Sequence, residues 1–321
     1  MPTPLYIVYN ANGMGYGLFP VEKSLTPDHI FSLKSPVQRA SVYINLYENM
    51  LNGRGYTPSG LVDLFEKGLQ RETEETNLRL ITGYLSKIYW VYVKPAERTT
   101  RSAALEQSLW AAMAQPVSAN IKKILFDTYQ SIYLSKDAAK RMHSIWGTQT
   151  PPPGVKLSED DYTSLALTIA LKNDTATHVL KQQQARIKNE DRKKRMDFLM
   201  PALSANVAER DAFFNTLKDR KNREKEVWVT TALTYLHHPL RQNTSIRYVP
   251  QSLDLLEEIQ ATGNIFFPLS FISATLTNYQ NKEVADMVNA YLKAHPQLNP
   301  KLKGKLLQGA DNVFRAQKLA R

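Results

Sequence analysis

The chain of 321 residues contains no cysteine. That absence excludes a disulfide framework, a thiol nucleophile, a thiolate-bound zinc and a cysteine-held iron–sulfur cluster. Glycine is scarce as well: 13 residues, about 4% where ~7% is usual, which favours helices over turn-rich β structure. No stretch approaches the ~18 consecutive apolar residues of a spanning helix, so no membrane segment is expected. The early run Leu5-Tyr6-Ile7-Val8-Tyr9 has no basic flank and does not read as a signal peptide.

Catalytic signatures are missing too. None of the six histidines opens an H-E-x-x-H zinc motif. The glycines at 13, 15 and 17 lack the spacing of the dinucleotide fingerprint, and they fall in a turn instead of opening a helix. Gly304-Lys305 has Asn299 where a P-loop needs its first glycine, and no G-x-S-x-G occurs. His237-His238-Pro239 is the one conspicuous pair. Neighbouring residues on a helix point about 100° apart and rarely share a metal. The pair therefore reads first as a helix end, where imidazoles favour the negative dipole pole and Pro239 stops the helix, with a metal or substrate role as the alternative.

What is present is charge and helical pattern. Lys+Arg number 41 and Asp+Glu 30, a difference of +11 that points to an anionic partner without naming one. Basic residues cluster over 181–195 and again over 293–321. Solvated helix faces explain such clusters, and an electropositive surface for carboxylates or phosphates is the alternative. Nucleic acid is not expected, because the 181–195 run interleaves no aromatic residues for stacking.

Two extended runs, 5–9 and 16–19, flank Asn12-Gly13, a hairpin signal. A lone hairpin is marginal in water, so it either packs on the helices or is the edge of a β domain that precedes residue 1. From Pro27 onward the pattern is helical. Thr26-Pro27, Thr57-Pro58 and Ser158-Glu159-Asp160-Asp161 read as capped helix starts. Tyr43, Leu46, Tyr47, Met50 and Leu51 form one apolar stripe, and Leu78, Ile81, Leu85, Ile88 and Tyr92 another. Roughly fourteen to sixteen helices are expected on this spacing. The expected fold is all-α: an irregular HEAT- or armadillo-like superhelix of antiparallel helix pairs behind a short β-hairpin. The hairpin would occupy 1–22 and the helical domain 23–321. The triproline stretch within 147–157 reads as an inter-helix loop or, second, as a break between lobes.

Several segments resemble one family. Residues 10–19, NANGMGYGLF, are similar to the Gly-Tyr-Tyr-Arg-Val hairpin of zinc aminopeptidases of the aminopeptidase N type. Residues 37–53 stand where those proteins, the endoplasmic-reticulum aminopeptidases included, carry the first long helix of their C-terminal domain. Segments 223–241, 255–260 and 265–268 resemble a divergent bacterial branch. The resemblance covers nearly the whole chain, and its motifs are architectural. It implies a parent metallopeptidase whose zinc site and Gly-x-Met-Glu-Asn loop lie in an upstream catalytic domain, with Met1 falling inside a longer chain. No cofactor is then expected in this chain, which would be inactive alone. It would cap the catalytic cleft, help to bind and size-select peptides, and pair with its own upstream domain. Arg241 and Arg247 are the candidate contacts for peptide carboxylates. A stand-alone α-solenoid binding protein for peptides, proteins or nucleic acid is the alternative. The compartment stays open, since the deciding N-terminus would lie upstream.

Overall fold

The computed structural model describes residues 4–173 and 177–319. Among these residues the protein is all-α, with eighteen α-helices, three short 3-10 turns and no strand. The chain divides into two compact units. One holds the chain through Lys156 together with its last residues from Lys318, and the other is Leu157–Gln317. The division falls at the end of the triproline stretch.

The first unit contains α1 (Pro27–Ser32), α2 (Pro36–Leu51), α3 (Pro58–Gly68), α4 (Glu75–Val91), α5 (Pro95–Ala114), α6 (Ala119–Ile132) and α7 (Lys136–Thr148). Their starts follow local chemistry. Pro27, Pro36, Pro58 and Pro95 each open a helix, where a missing N–H costs nothing. Thr26 accepts from the His29 N–H, and Thr57 from the Gly60 N–H at 3.1 Å. The apolar stripes turn inward: Tyr43, Leu46 and Met50 on α2, and Leu78, Ile81, Leu85 and Ile88 on α4, are all buried.

Helices α2, α4 and α6 lie side by side and run parallel. At their starts, Asn77 Nδ2 donates to the Pro36 carbonyl at 2.9 Å and Asn120 Nδ2 to Glu75 at 3.1 Å. Midway, Tyr47 stacks on Tyr84 with centroids 3.9 Å apart. Near their ends, Trp90 Nε1 donates to the Ser131 carbonyl at 3.2 Å. Helices α3 and α5 are parallel in the same sense, since Ser59 meets Glu97 near their starts and Ser108 meets Glu66 further along, each at 2.5 Å.

The hairpin expected over 1–22 is not formed by its described residues. Asn10 adopts a left-handed φ of 52°. Its side chain clasps Gly15 at both ends, accepting from the N–H at 2.7 Å and donating to the carbonyl at 3.1 Å. The carbonyls that a partner strand would have taken go to α2 instead. Ser41 donates to the Asn10 carbonyl at 2.6 Å, Asn45 to Tyr9 at 3.1 Å and Asn49 to Phe19 at 2.6 Å. The segment is thus satisfied by helix side chains, while Leu5, Met14 and Tyr16 stand in solvent.

The second unit contains α8 (Glu159–Lys172), α9 (Thr177–Arg186), α10 (Glu190–Leu199), α11 (Val207–Thr216), α12 (Glu226–Leu236), α13 (Gln242–Ser245), α14 (Tyr248–Asp254) and α15 (Leu256–Thr262). It continues with α16 (Phe267–Leu276), α17 (Lys282–Ala294) and, through Gln317, most of α18 (Pro300–Leu319). Ser158 and Asp161 close a reciprocal capping box on α8. Helices α12 and α16 run parallel over a shared core of Val229, Leu233, Phe271, Ile272 and Leu276. At their starts Glu226 accepts from the Asn264 N–H at 2.9 Å, and just past their ends Gln242 donates to the Asn278 carbonyl at 2.5 Å. Gly309 lets α18 close on α16, because a Cβ there would lie 2.3 Å from Ile272 Cγ2.

One turn device recurs in both units. Arg39, Arg98 and Arg210 each occupy the fourth position of their helix and reach back to carbonyls in the preceding turn. Arg39 Nη1 donates to Leu33 at 2.7 Å, Arg98 Nη1 to Val93 at 3.2 Å, and Arg210 Nη1 to Ser204 at 2.5 Å. Arg223, just before α12, does the same toward Leu217 and Lys218.

Candidate functional site

Residues 223–241 build α12 and the short turn after it. His237 is the helix's C-cap, with its N–H on the Leu233 carbonyl at 2.8 Å. Its ring points inward and is fully buried, and Nδ1 shares a hydrogen bond of 2.7 Å with the Tyr279 hydroxyl. Burial pushes the imidazole down to about 3, so the ring is neutral at ordinary pH. The pair does mark the end of a helix, as its sequence suggests, but His237 brings no charge to the dipole there because desolvation keeps its ring neutral. His238 accepts from the Leu240 N–H at 3.3 Å and caps the 3-10 turn Pro239–Arg241. Among the described residues, no group of three or more His, Asp or Glu could hold a metal ion.

The two candidate arginines have different surroundings. Arg241 is buried, and its guanidinium donates to the carbonyls of Ser204 at 2.9 Å, Leu203 at 3.3 Å and Ala170 at 3.3 Å. It ties α8 and the turn before α11 to the end of α12, which leaves it poorly placed to meet a ligand. Arg247 is about half exposed (48%) and pairs with Asp211 at 2.5 Å, its guanidinium lying 5.5 Å from the Tyr248 ring centroid. An incoming carboxylate would have to displace Asp211, which also accepts from the Tyr248 hydroxyl at 2.6 Å. The two arginines are not brought into one receptor. The 181–195 cluster is spread over α9 and α10, and Arg192 bridges Glu159 and Asp160, each at 3.1 Å.

A different feature of this unit has the form of a recognition surface. A cleft of about 480 Å³ runs along α12 and α16, lined by Thr230, Thr234, Tyr235, Ser270, Ser273 and Thr277. Neither helix brings charge to it: residues 227–240 and 259–281 contain no Asp, Glu, Lys or Arg. Thr230 and Thr234 donate to their own helix, to Val227 at 3.1 Å and Thr230 at 2.9 Å, which leaves their oxygens free to accept. Such a wall can exchange hydrogen bonds with amide N–H and C=O groups through lining residues that are themselves uncharged. The signal was present in the sequence, because the hydroxyls step by three or four along each helix. A search for catalytic motifs passes over it.

No family model matches the chain, and no curated protein matches it. Among the described residues, no helix is long and apolar enough to cross a membrane.

Proposed function

We propose that the chain is the non-catalytic helical part of a zinc aminopeptidase of the aminopeptidase N type, capping the active-site cleft and holding the body of the peptide substrate. The observation that carries this reading is the clasp of 9–19 on α2. Segments 10–19 and 37–53 resemble the family separately, and Ser41, Asn45 and Asn49 bring them together. The exposed Leu5, Met14 and Tyr16 beside that clasp suit burial against an upstream β-sandwich. The parallel rows α2–α4–α6 and α3–α5 support an irregular HEAT-like superhelix of antiparallel pairs, in which alternate helices share a layer.

Zinc would be held by the upstream domain, where it would activate water for peptide hydrolysis. This chain's part is remote binding. The neutral cleft between α12 and α16 would take peptide amides without regard to side chain, and a longer peptide would use more of it. The reading frame is the decisive test: upstream of Met1 it should continue with H-E-x-x-H and a glutamate eighteen residues on. An in-frame stop immediately before Met1 overturns the proposal. In the full-length enzyme, Ser273→Trp should raise KM for octapeptides several-fold and leave aminoacyl-anilide turnover unchanged.

A further inference from the structure

The second unit holds another cavity, of about 560 Å³, between α8, α9 and α11 and away from the hydroxyl cleft. Its walls are apolar, chiefly Leu180, Met200, Leu203 and Phe213, and two opposite charges line it, Lys181 on α9 and Glu209 on α11. Neither takes part in an ion pair among the described residues. The volume lies in the ~300–1,000 Å³ range of small-molecule sites, where a few polar groups orient a ligand in an apolar hollow.

The glutamate is held in place by a chain of contacts. Arg210 and Arg241 converge on the Ser204 carbonyl, at 2.5 Å and 2.9 Å. The Ser204 hydroxyl then donates to Glu209 Oε2 at 2.5 Å. One carboxylate oxygen is thereby anchored, and Oε1 makes no hydrogen bond among the described residues. A wall fixed before the ligand arrives lowers the ordering cost of binding. The buried Arg241, remote as a ligand contact, acts here by positioning Glu209.

We propose that this cavity binds a small zwitterion with an apolar side chain, its ammonium on Glu209 and its carboxylate on Lys181. The matching chemistry is that of a free apolar α-amino acid or a short apolar peptide. Both charged residues are exposed, so a fatty acid would meet Lys181 alone and an apolar amine Glu209 alone, whereas a zwitterion meets both. The site does not depend on the aminopeptidase reading and would stand if that reading failed.

Isothermal titration of the whole chain with L-leucine and with L-leucyl-L-leucine tests it. At least one should bind saturably with Kd below about 1 mM, and the tighter of the two names the source. N-acetyl-L-leucine, without the ammonium, and L-leucinamide, without the carboxylate, should each bind roughly tenfold more weakly or worse. Glu209→Gln should weaken the zwitterion and leave N-acetyl-L-leucine unaffected, and Lys181→Gln should do the converse with L-leucinamide. Ala212→Trp, at an exposed lining position, should fill the cavity and abolish binding with the circular dichroism unchanged. Absence of saturable binding by both zwitterions overturns the proposal, as do equal affinities for the blocked compounds or unchanged binding in Ala212→Trp.

Discussion

His237 enters the folded state as a neutral ring, which makes the second unit sensitive to acid in a defined window. Its ordinary value of 6.5 falls to about 3 on burial. Above 6.5 both folded and unfolded forms are neutral and the residue has no pH effect. Below 6.5 the unfolded chain takes a proton that the folded chain refuses, so stability falls as pH falls, by about 1.4 kcal/mol per unit until the folded value is approached. His237→Gln should flatten the pH dependence of urea unfolding between about 6.5 and 4.5, relative to the unmutated protein. An unchanged slope would mean that the ring is hydrated in solution. Glu72 shows the opposite residue-scale case, a buried charge with full satisfaction. Arg39 binds it twice, each time at 2.8 Å, and it also accepts from the Tyr43 hydroxyl at 2.8 Å, the Glu74 N–H at 2.9 Å and Asn77 Nδ2 at 3.3 Å. Burial pushes its carboxyl up, but Arg39, the Glu74 N–H and Tyr43 together hold it below the usual range. Glu72→Gln leaves Arg39 without a counter-charge and should cost about 3–5 kcal/mol in denaturant unfolding. The pair Glu72→Met and Arg39→Met should recover much of that loss, since the cost comes from an orphaned charge.

At the scale of helices, the arginines at fourth positions do what caps do at helix starts: they satisfy groups that the helix leaves open. Arg98 is the sharpest instance. It is buried with no carboxylate partner among the described residues, and Nη1 reaches the carbonyls of Trp90 at 2.7 Å and Val93 at 3.2 Å, at the negative end of α4. Burial lowers its guanidinium to about 10, still charged at neutral pH. Arg98→Met keeps the bulk and removes the donors. It should cost about 2–3 kcal/mol, with hydrogen exchange rising first in the last turn of α4; uniform exchange changes would argue against a local clasp. The same device changes the meaning of the net charge. Arg98, Arg210, Arg223 and Arg241 are buried in structural roles, so a count of +11 overstates the positive charge at the surface. Sequence could have shown the pattern, because helical position four follows a recognisable start, but an arginine there is indistinguishable from a solvated one until the turn folds back.

For the whole molecule, the two units have separate cores and different titratable groups inside them. Between about pH 6.5 and 4.5 the acid response should come from the unit that holds His237, because Glu72 in the first unit starts to lose its contribution only below the ordinary carboxylate value of 4.5. Hydrogen exchange at pH 5 and pH 7, corrected for intrinsic rates, should show protection lost in α12 and α16 before α2 and α4. Simultaneous loss would mean that the units unfold as one.

The amino-acid order alone determined where most helices begin and which face of each is apolar. Thr26, Thr57 and Ser158 cap helices as their local context demands, and the 43–50 and 78–88 stripes became the core faces of α2 and α4, because capping and period 3.6 act over only a few neighbouring residues. Tertiary structure decided the rest. Segment 4–22 carries a hairpin's local pattern, yet Ser41, Asn45 and Asn49, some thirty residues on, take its carbonyls and no ladder forms. Arg241 carries the charge of a carboxylate receptor, yet the Ser204, Leu203 and Ala170 carbonyls close around it. Lys181 and Glu209 are twenty-eight residues apart in sequence and line one cavity only when α9 and α11 pack together. In each case the deciding partner is distant along the chain, and local propensity carries no information about which distant group will arrive.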